Sequence, residues 1–258
     1  MTKILIVADL HYALKQFDWV LARAEDFDAV VIAGDMLQIA ATVGIDAQIV
    51  VVRTYLKKIA ACTRLIVCSG NHDLDVTKDG ERVAGWVKDL GPEGEIASDG
   101  DHIALGASHV SVFPWWDGPK TRDAIDQQLE QMAPVEEGPW IWVYHAPPPD
   151  SPTSWAGKRH FGDPELAAWI QKHQPQIVLS GHVHQAPFIG EGAWADRVGN
   201  SWVFNMGQQP GDMPAHIILD PIQGKAMWHS LAGAEEIDLS AAENRPTPLH
   251  SLPDWLKA

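Results

Sequence analysis

Residues 3–11 read KILIVADLH, a dense apolar run over Lys3–Ala8 that breaks off into Asp9-Leu10-His11. A run of that length is what a parallel strand buried on both faces looks like. The design returns four times. Ala29–Ala33 (AVVIA) runs into Gly34-Asp35, and Leu65–Cys68 (LIVC) leads to Gly70-Asn71-His72-Asp73. Trp140–Tyr144 (WIWVY) ends at His145, and Ile177–Ser180 at Gly181-His182-Val183-His184. Every polar cluster follows the carboxyl end of an apolar strand, where open α/β sheets gather their ligands.

Between these strands the period changes to that of a helix. Leu14, Phe17, Leu21 and Ala24 form one stripe, and Ile45, Ile49, Val52, Leu56 and Ile59 a longer one. Strands alternating with helices imply parallel pairing. Turn signals at Asp99-Gly100 and Gly106-Ala107 predict antiparallel strands around 95–113, followed by a polar helix over 120–132. Asp163-Pro164-Glu165 opens another helix with an N-cap, Pro at the first position and an acid in the first turn. Gly199-Asn200 between Trp194–Val198 and Ser201–Phe204 reads as a hairpin, and His216–Leu219 and Ala226–His229 as closing strands. These elements predict a single α/β domain over 1–235, two sheets with helices outside both, and an irregular C-terminal tail over 236–258.

The chain has 258 residues, 46% hydrophobic and 21% charged, which supports a large core and excludes global disorder. Nineteen basic against 34 acidic residues give a net charge of −15. That excludes an extended nucleic-acid surface and leaves a small anionic substrate at a locally positive site. Two cysteines make no disulfide framework. The run Ile4–Ala8 is too short for a signal-peptide core, and no stretch is long and apolar enough for a membrane span. A cytoplasmic protein is the expectation.

With 22 Asp and 12 His, about one D-x-H arises by chance, so the motif alone is worth little. Placement carries the argument. Asp9, His11, Asp35, Asn71, His145, His182 and His184 are ligands for hard-to-borderline divalent metals, with no Cys among them. Residues i and i+2 project alike from extended chain, so Asp9 and His11 could share an ion, and so could His182 and His184. Seven ligands are too many for one ion. Two ions sharing a carboxylate, about 3.5–4 Å apart, is the natural solution.

The ordered set D-x-H, G-D, G-N-H-D, H and G-H-x-H resembles the calcineurin-like metallophosphoesterases, over most of the chain. Phe204-Asn205-Met206-Gly207-Gln208 is similar to the family's segment after G-H-x-H. The resemblance implies a four-layer α/β/β/α sandwich of two mixed sheets with helices outside. It implies one metal on Asp9, His11, Asp35 and His184, the other on Asp35, Asn71, His145 and His182, with Asp35 bridging. It makes His72 the general acid beside the leaving group. Paired dications make hydroxide available near neutral pH, and an imidazole's ordinary pKa of about 6.5 suits protonation of an alkoxide. The expected activity is metal-dependent hydrolysis of a phosphate ester, a diester preferred over a monoester. The expected cofactors are two divalent ions, Mn²⁺ or an Fe/Zn pair, and the expected substrate a small phosphorylated molecule such as a nucleotide. The alternatives are a catalytically silent scaffold of the same fold, or an amidohydrolase, whose H-x-H would come first rather than last.

Departures from the family pattern are informative. Gln38 stands where many relatives carry the Asp that orients the catalytic histidine, and where the purple acid phosphatases carry Tyr. Gln38 could hydrogen-bond His72, with Asp73 as a charged substitute. His145-Ala146-Pro147 replaces the His-Gly-Gly of the protein phosphatases. Trp115 and Trp116, and Trp155 and His160 in a second loop, are candidate substrate contacts by stacking and polar contact; for the tryptophans, loop anchors packed on the core are at least as good a reading, and for His160, with Lys158 and Arg159, a solvated surface cluster is the plainer one.

Overall fold

Alternate residues of a strand face opposite sides, and here the two sides enter different cores. In β1 (Ile4–Val7), Ile4 and Ile6 join one buried cluster and Leu5 and Val7 another. β2 (Ala29–Ala33) and β3 (Arg64–Cys68) split the same way: Val31 and Ile66 go to the first cluster, Val30 and Leu65 to the second. β9 (Trp140–Val143) and β10 (Ile177–Ser180) share the first cluster through Ile141, Val143, Ile177 and Leu179. Their other faces, with Trp142 and Val178, enter a third. These three cores, the first lying between the second and the third, are the three interfaces of a four-layer α/β/β/α sandwich. That is why these strands are apolar on both faces.

The computed structural model describes residues 2–90, 96–132, 137–241 and 245–257. Outside the first sheet lie α1 (Leu14–Arg23) and α2 (Ile45–Ala60), which bury Phe17, Val20, Val52, Leu56 and Ile59. Outside the second lie α4 (Pro119–Gln131) and α5 (Pro164–His173), with Ile125, Leu129, Leu166 and Trp169 inward. Asp163 caps α5 by accepting the Glu165 N–H at 2.9 Å.

Both sheets are mixed. The first contains β6 (Ile96–Ala97), β13 (His216–Asp220), β14 (Lys225–Ser230), β15 (Gly233–Asp238) and β16 (Thr247–Leu249), in the order β16-β15-β14-β13-β1-β2-β3-β6. The second contains β7 (His102–Leu105), β8 (Ser108–Val112), β11 (Ala195–Val198) and β12 (Ser201–Asn205), in the order β11-β12-β10-β9-β8-β7. β1, β2 and β3 are parallel, as are β8, β9, β10 and β12.

Two expectations are corrected, and one element is new. The expected tail over 236–258 instead extends the first sheet: β15 and β16 pair antiparallel, and Trp255 and Leu256 pack against the α1–α2 core. Residues 242–244 and 258 of that stretch lie outside the described residues. The signal is faint because β16 is three residues at a sheet edge, where Pro248 is tolerated. In the stretch 95–113, β7 and β8 are antiparallel as expected, but β6 pairs parallel with β3 in the other sheet; residue 95 lies outside the described residues. An unforeseen hairpin, β4 (Val76–Lys78) and β5 (Glu81–Val83), precedes the short α3 (Gly85–Lys88). Asp79 and Gly80 form its turn with φ of 53° and 90°, the left-handed pair that a two-residue turn favours.

Candidate metal centre

After β1 the chain does not stay extended. Asp9, His11 and Tyr12 have φ of 54°, 42° and 59°, and Asp35 and His182 have 54° and 68°. Such backbone costs on the order of 1–3 kcal/mol per residue and persists only where neighbours hold it. Here the loops hold one another. The N–H groups of Asp9, His11 and Tyr12 donate to the carbonyls of Gly34, Asp35 and Met36 at 3.1, 3.0 and 2.9 Å. Asp73, fully buried, accepts from Met36 and Leu37 N–H at 3.0 Å and from Gly70 N–H at 2.9 Å, tying the third loop to the second. Asp9 accepts the His182 N–H at 3.0 Å, which ties in the loop after β10.

Glycine at two motif positions follows from this crowding. A Cβ on Gly70 would strike the Asp35 carboxylate, and one on Gly34 (φ 89°) would strike the His145 ring. The G-D and G-N-H patterns are therefore packing requirements of the ligand cluster as well as turn signals.

All seven predicted ligands come together. Asp9, His11, Asp35 and His184 each offer an atom within 4.8 Å of the others, and so do Asp35, His145 and His182. Asp35 is common to both groups. Asn71 joins the second, its Oδ1 3.0 Å from His182 Nδ1. His182 and His184 fall in different groups, because the left-handed turn at His182 breaks the extended geometry in which they could have shared an ion.

The donor set fits divalent cations. Asp9 and Asp35 are buried carboxylates with four imidazoles around them. His145 is fully buried; its Nδ1 lies 2.7 Å from the Ala33 carbonyl, and its Nε2 makes no hydrogen bond. His11 is arranged alike, with Nδ1 3.2 Å from the Leu37 carbonyl and Nε2 2.9 Å from His184 Nε2. Anchoring one ring nitrogen on a carbonyl fixes the tautomer and aims the other at a metal. The electrostatics show the same demand for positive charge. Burial pushes the His145 imidazole down, but Asp35 and then Asp9 outweigh it and lift it to about 10. Burial and the neighbouring His145 push His182 down to about 4. Burial raises Asp35, but His145 and the His72 N–H hold it well below the usual carboxylate range.

His72 stands beside the cluster. Its N–H donates to Asp35 Oδ1 at 2.8 Å, its Nε2 lies 4.0 Å from Asp35 Oδ2, and its ring meets His11 edge-on at 4.5 Å. Neither expected orienting partner engages it. Gln38 Oε1 accepts from Ala40 N–H at 3.2 Å, and Asp73 is committed to three backbone amides, so His72 Nδ1 is left without a hydrogen bond.

The aromatic candidates separate. Trp115 packs against His182 at 5.2 Å and His145 at 5.8 Å. Trp115 and Trp116 line a groove of about 330 Å³ with Phe161, Asp163 and His182. Trp116 Nε1 donates to Asp163 Oδ2 at 2.8 Å, and the Tyr144 hydroxyl donates to the same oxygen. Trp155 and His160 pair with each other instead, rings 4.9 Å apart, with His160 Nδ1 held by Ser154 and Ser151; neither lines that groove. Lack of period in this Gly/Pro-rich loop hides its local hairpin-like bridge. Sequence reading misses Ser69 and Asp99. Asp99 accepts the Ser69 N–H at 2.9 Å, and Ser69 Oγ accepts the Trp115 N–H at 3.0 Å, which fixes the tryptophan's backbone. Partners 30 and 46 residues apart leave no local signal.

Comparison with known proteins agrees with this architecture. The family model for calcineurin-like phosphoesterases matches residues 2–186, and the chain belongs to that metal-dependent family. Among solved structures, TT1561 of Thermus thermophilus superposes with a TM-score of 0.58 at 15% identity, over 96% of this chain and 98% of that one. Purple acid phosphatase PPD1 from yellow lupin (Lupinus luteus) seeds gives 0.57 at 15% identity, over 95% of this chain and 52% of that one. At such identities the likeness is one of fold. No curated protein sequence matches the chain. Among the described residues no helix is long and apolar enough to cross a membrane.

Proposed function

We propose that the protein is a dinuclear metal-dependent phosphoesterase that hydrolyses a small phosphodiester in preference to a monoester. The observation that carries this reading is the pair of ligand groups sharing Asp35. Asp9, His11, Asp35 and His184 would hold one divalent ion, and Asp35, Asn71, His145 and His182 the other. Mn²⁺ and an Fe/Zn pair both suit these donors. When bound, the two ions would supply Lewis acidity to the phosphoryl oxygens and a source of hydroxide near neutral pH.

The protein's own groups do the rest. The Ala33 and Leu37 carbonyls keep His145 and His11 in the ligating tautomer. His72, partly exposed and outside both groups, would give its proton to the leaving oxygen. The groove beside Trp115 and Trp116 would seat the second ester substituent, which supports the diester preference. The partner implied is a small phosphorylated molecule, a nucleotide included.

The test is turnover after reconstitution with Mn²⁺, Fe or Zn, using bis-p-nitrophenyl phosphate, p-nitrophenyl phosphate and cyclic nucleotides. The expected result is metal-dependent hydrolysis, faster on the bis ester. Stoichiometric metal binding with no turnover of any ester would favour a silent scaffold and overturn the reading.

A further inference from the structure

Behind Trp115 lies a second cavity, of about 460 Å³, that the reading above does not use. It opens between the β4–β5 hairpin, α3 and the first turns of α4. Lys78, Lys88 and Lys120 line it, with Val83, Pro114 and Trp115 as an apolar wall. Three lysines on one cavity are a local excess in a chain with 19 basic and 34 acidic residues. Lys120 Nζ donates to the Asp79 carbonyl at 2.7 Å, whereas the Lys78 and Lys88 ammoniums make no hydrogen bond or close ion pair among the described residues, Lys88 acting on Asp99 only at longer range.

Two acids face the same space, Asp79 and Asp99. Asp99 is buried, and burial lifts its carboxyl to about 7, so near neutrality it offsets only part of the lysine charge. The cavity is also tied to the ligand cluster. Trp115 forms its wall, lies 5.2 Å from His182, and is fixed through Ser69. One extended molecule can therefore touch both places across a single indole.

We propose that this cavity is a subsite for a second phosphate of the substrate, with Trp115 packed on the ring or apolar portion that joins it to the scissile phosphate. The proposal rests on the phosphoesterase reading for the first phosphate and adds a requirement that reading lacks: the preferred substrate carries two anionic groups joined through a ring or apolar unit. Lysine ammoniums suit that role as mobile point charges able to follow a phosphate. Their effect weakens with ionic strength, as for any exposed charge.

A matched pair of diesters tests this: thymidine 5′-(p-nitrophenyl phosphate), and the same compound with a 3′-phosphate. The metal-loaded protein should show a KM roughly tenfold lower for the 3′-phosphorylated diester, the sum expected of a few weak exposed pairs. The difference should shrink as salt rises. Combined Lys78→Ala, Lys88→Ala and Lys120→Ala should abolish it while leaving the unphosphorylated diester unchanged. Equal KM values for the two diesters in the unaltered protein would overturn the proposal, as would a preference retained by the triple variant. If neither diester is hydrolysed, the phosphoesterase reading is what fails. Calorimetry then still decides the subsite. Tighter binding of thymidine 3′,5′-bisphosphate than of thymidine 5′-phosphate, lost in the triple variant, supports it; equal binding overturns it.

Discussion

The first sheet has two halves that use the same residues for different ends. In β1, β2 and β3 the strands run parallel, and each ends at a candidate ligand: Asp9, Asp35 or Asn71. In β13 to β16 they run antiparallel, and among the described residues their turns carry no member of either ligand group. The antiparallel half also has a buried aspartate at a strand end. Asp220 accepts the Ile222 and Gln223 N–H groups at 3.0 and 2.9 Å and does nothing else in view. Direction makes the difference. Parallel strands bring all their carboxyl ends to one edge, so side chains distant in sequence converge there. Antiparallel strands send alternate ends to opposite edges, and their polar residues serve local turns.

The largest effect that could break this contrast is at Asp35. Asp35→Asn should empty both sites and lower kcat/KM on a diester by about 10³-fold or more, if the paired ions proposed above carry the reaction. Elemental analysis alongside the assay checks it. Two ions retained per chain would show that convergence on Asp35 is not what assembles the centre.

Burial acts with opposite outcomes on a histidine of the ligand cluster, His145 after β9 of the second sheet, and on one in the antiparallel half of the first. Carboxylates rescue the charge on His145, but His216, at the start of β13, has none beside it. Burial, with smaller contributions from His229 and Arg23 against the Pro214 carbonyl, pushes His216 down to about 4 from 6.5. Between those values the unfolded chain holds a proton that the folded chain does not, so stability rises with pH across the window. The span corresponds to about 3 kcal/mol lost by pH 4. As pH rises from 4 to 6.5, the denaturation midpoint of the unaltered protein should gain on that of His216→Gln, whatever buried carboxyls such as Asp99 add to both profiles. An unchanged slope in the variant would assign the acid sensitivity elsewhere.

How much of this is legible in the sequence follows from the same contrast. Parallel strands buried on both faces write continuous apolar runs, and their ligands follow at once in sequence, so KILIVADLH and its four counterparts announce both sheet and site. β16 and the β4–β5 hairpin are three-residue strands at the surface, too short to show a period. The Asp79-Gly80 pair is the one usable mark of the hairpin. Sequence position pairs Gln38 and Asp73 with His72, because a motif fixes position and leaves side-chain direction open. In the fold Asp73 is taken up by three amides, an arrangement spanning 37 residues.

A finer test within the parallel half concerns His72. It sits among the ligands but belongs to neither group. His72→Gln should keep both ions and slow esters with alkyl leaving groups by about 10²-fold, the usual range for loss of a general acid. A p-nitrophenyl ester, whose leaving group needs no proton, should be affected far less. Equal losses on the two esters would mean that His72 serves the centre's structure rather than proton transfer.

The smallest effect is expected at Asp220, and it is the control for all the others. Asp220→Ala removes the acceptor for two N–H groups in the turn between β13 and β14, comparable to deleting a cap, so it should cost about 1 kcal/mol in thermal or urea denaturation. Asp220→Asn, which keeps an acceptor oxygen, should cost less. In both variants metal content and turnover should match the unaltered protein, although the lost carboxylate is as buried as Asp9. Loss of metal from either variant would show that the antiparallel half is coupled to the centre. Strand direction would then fail to explain why one buried aspartate is a candidate ligand and another only a turn residue.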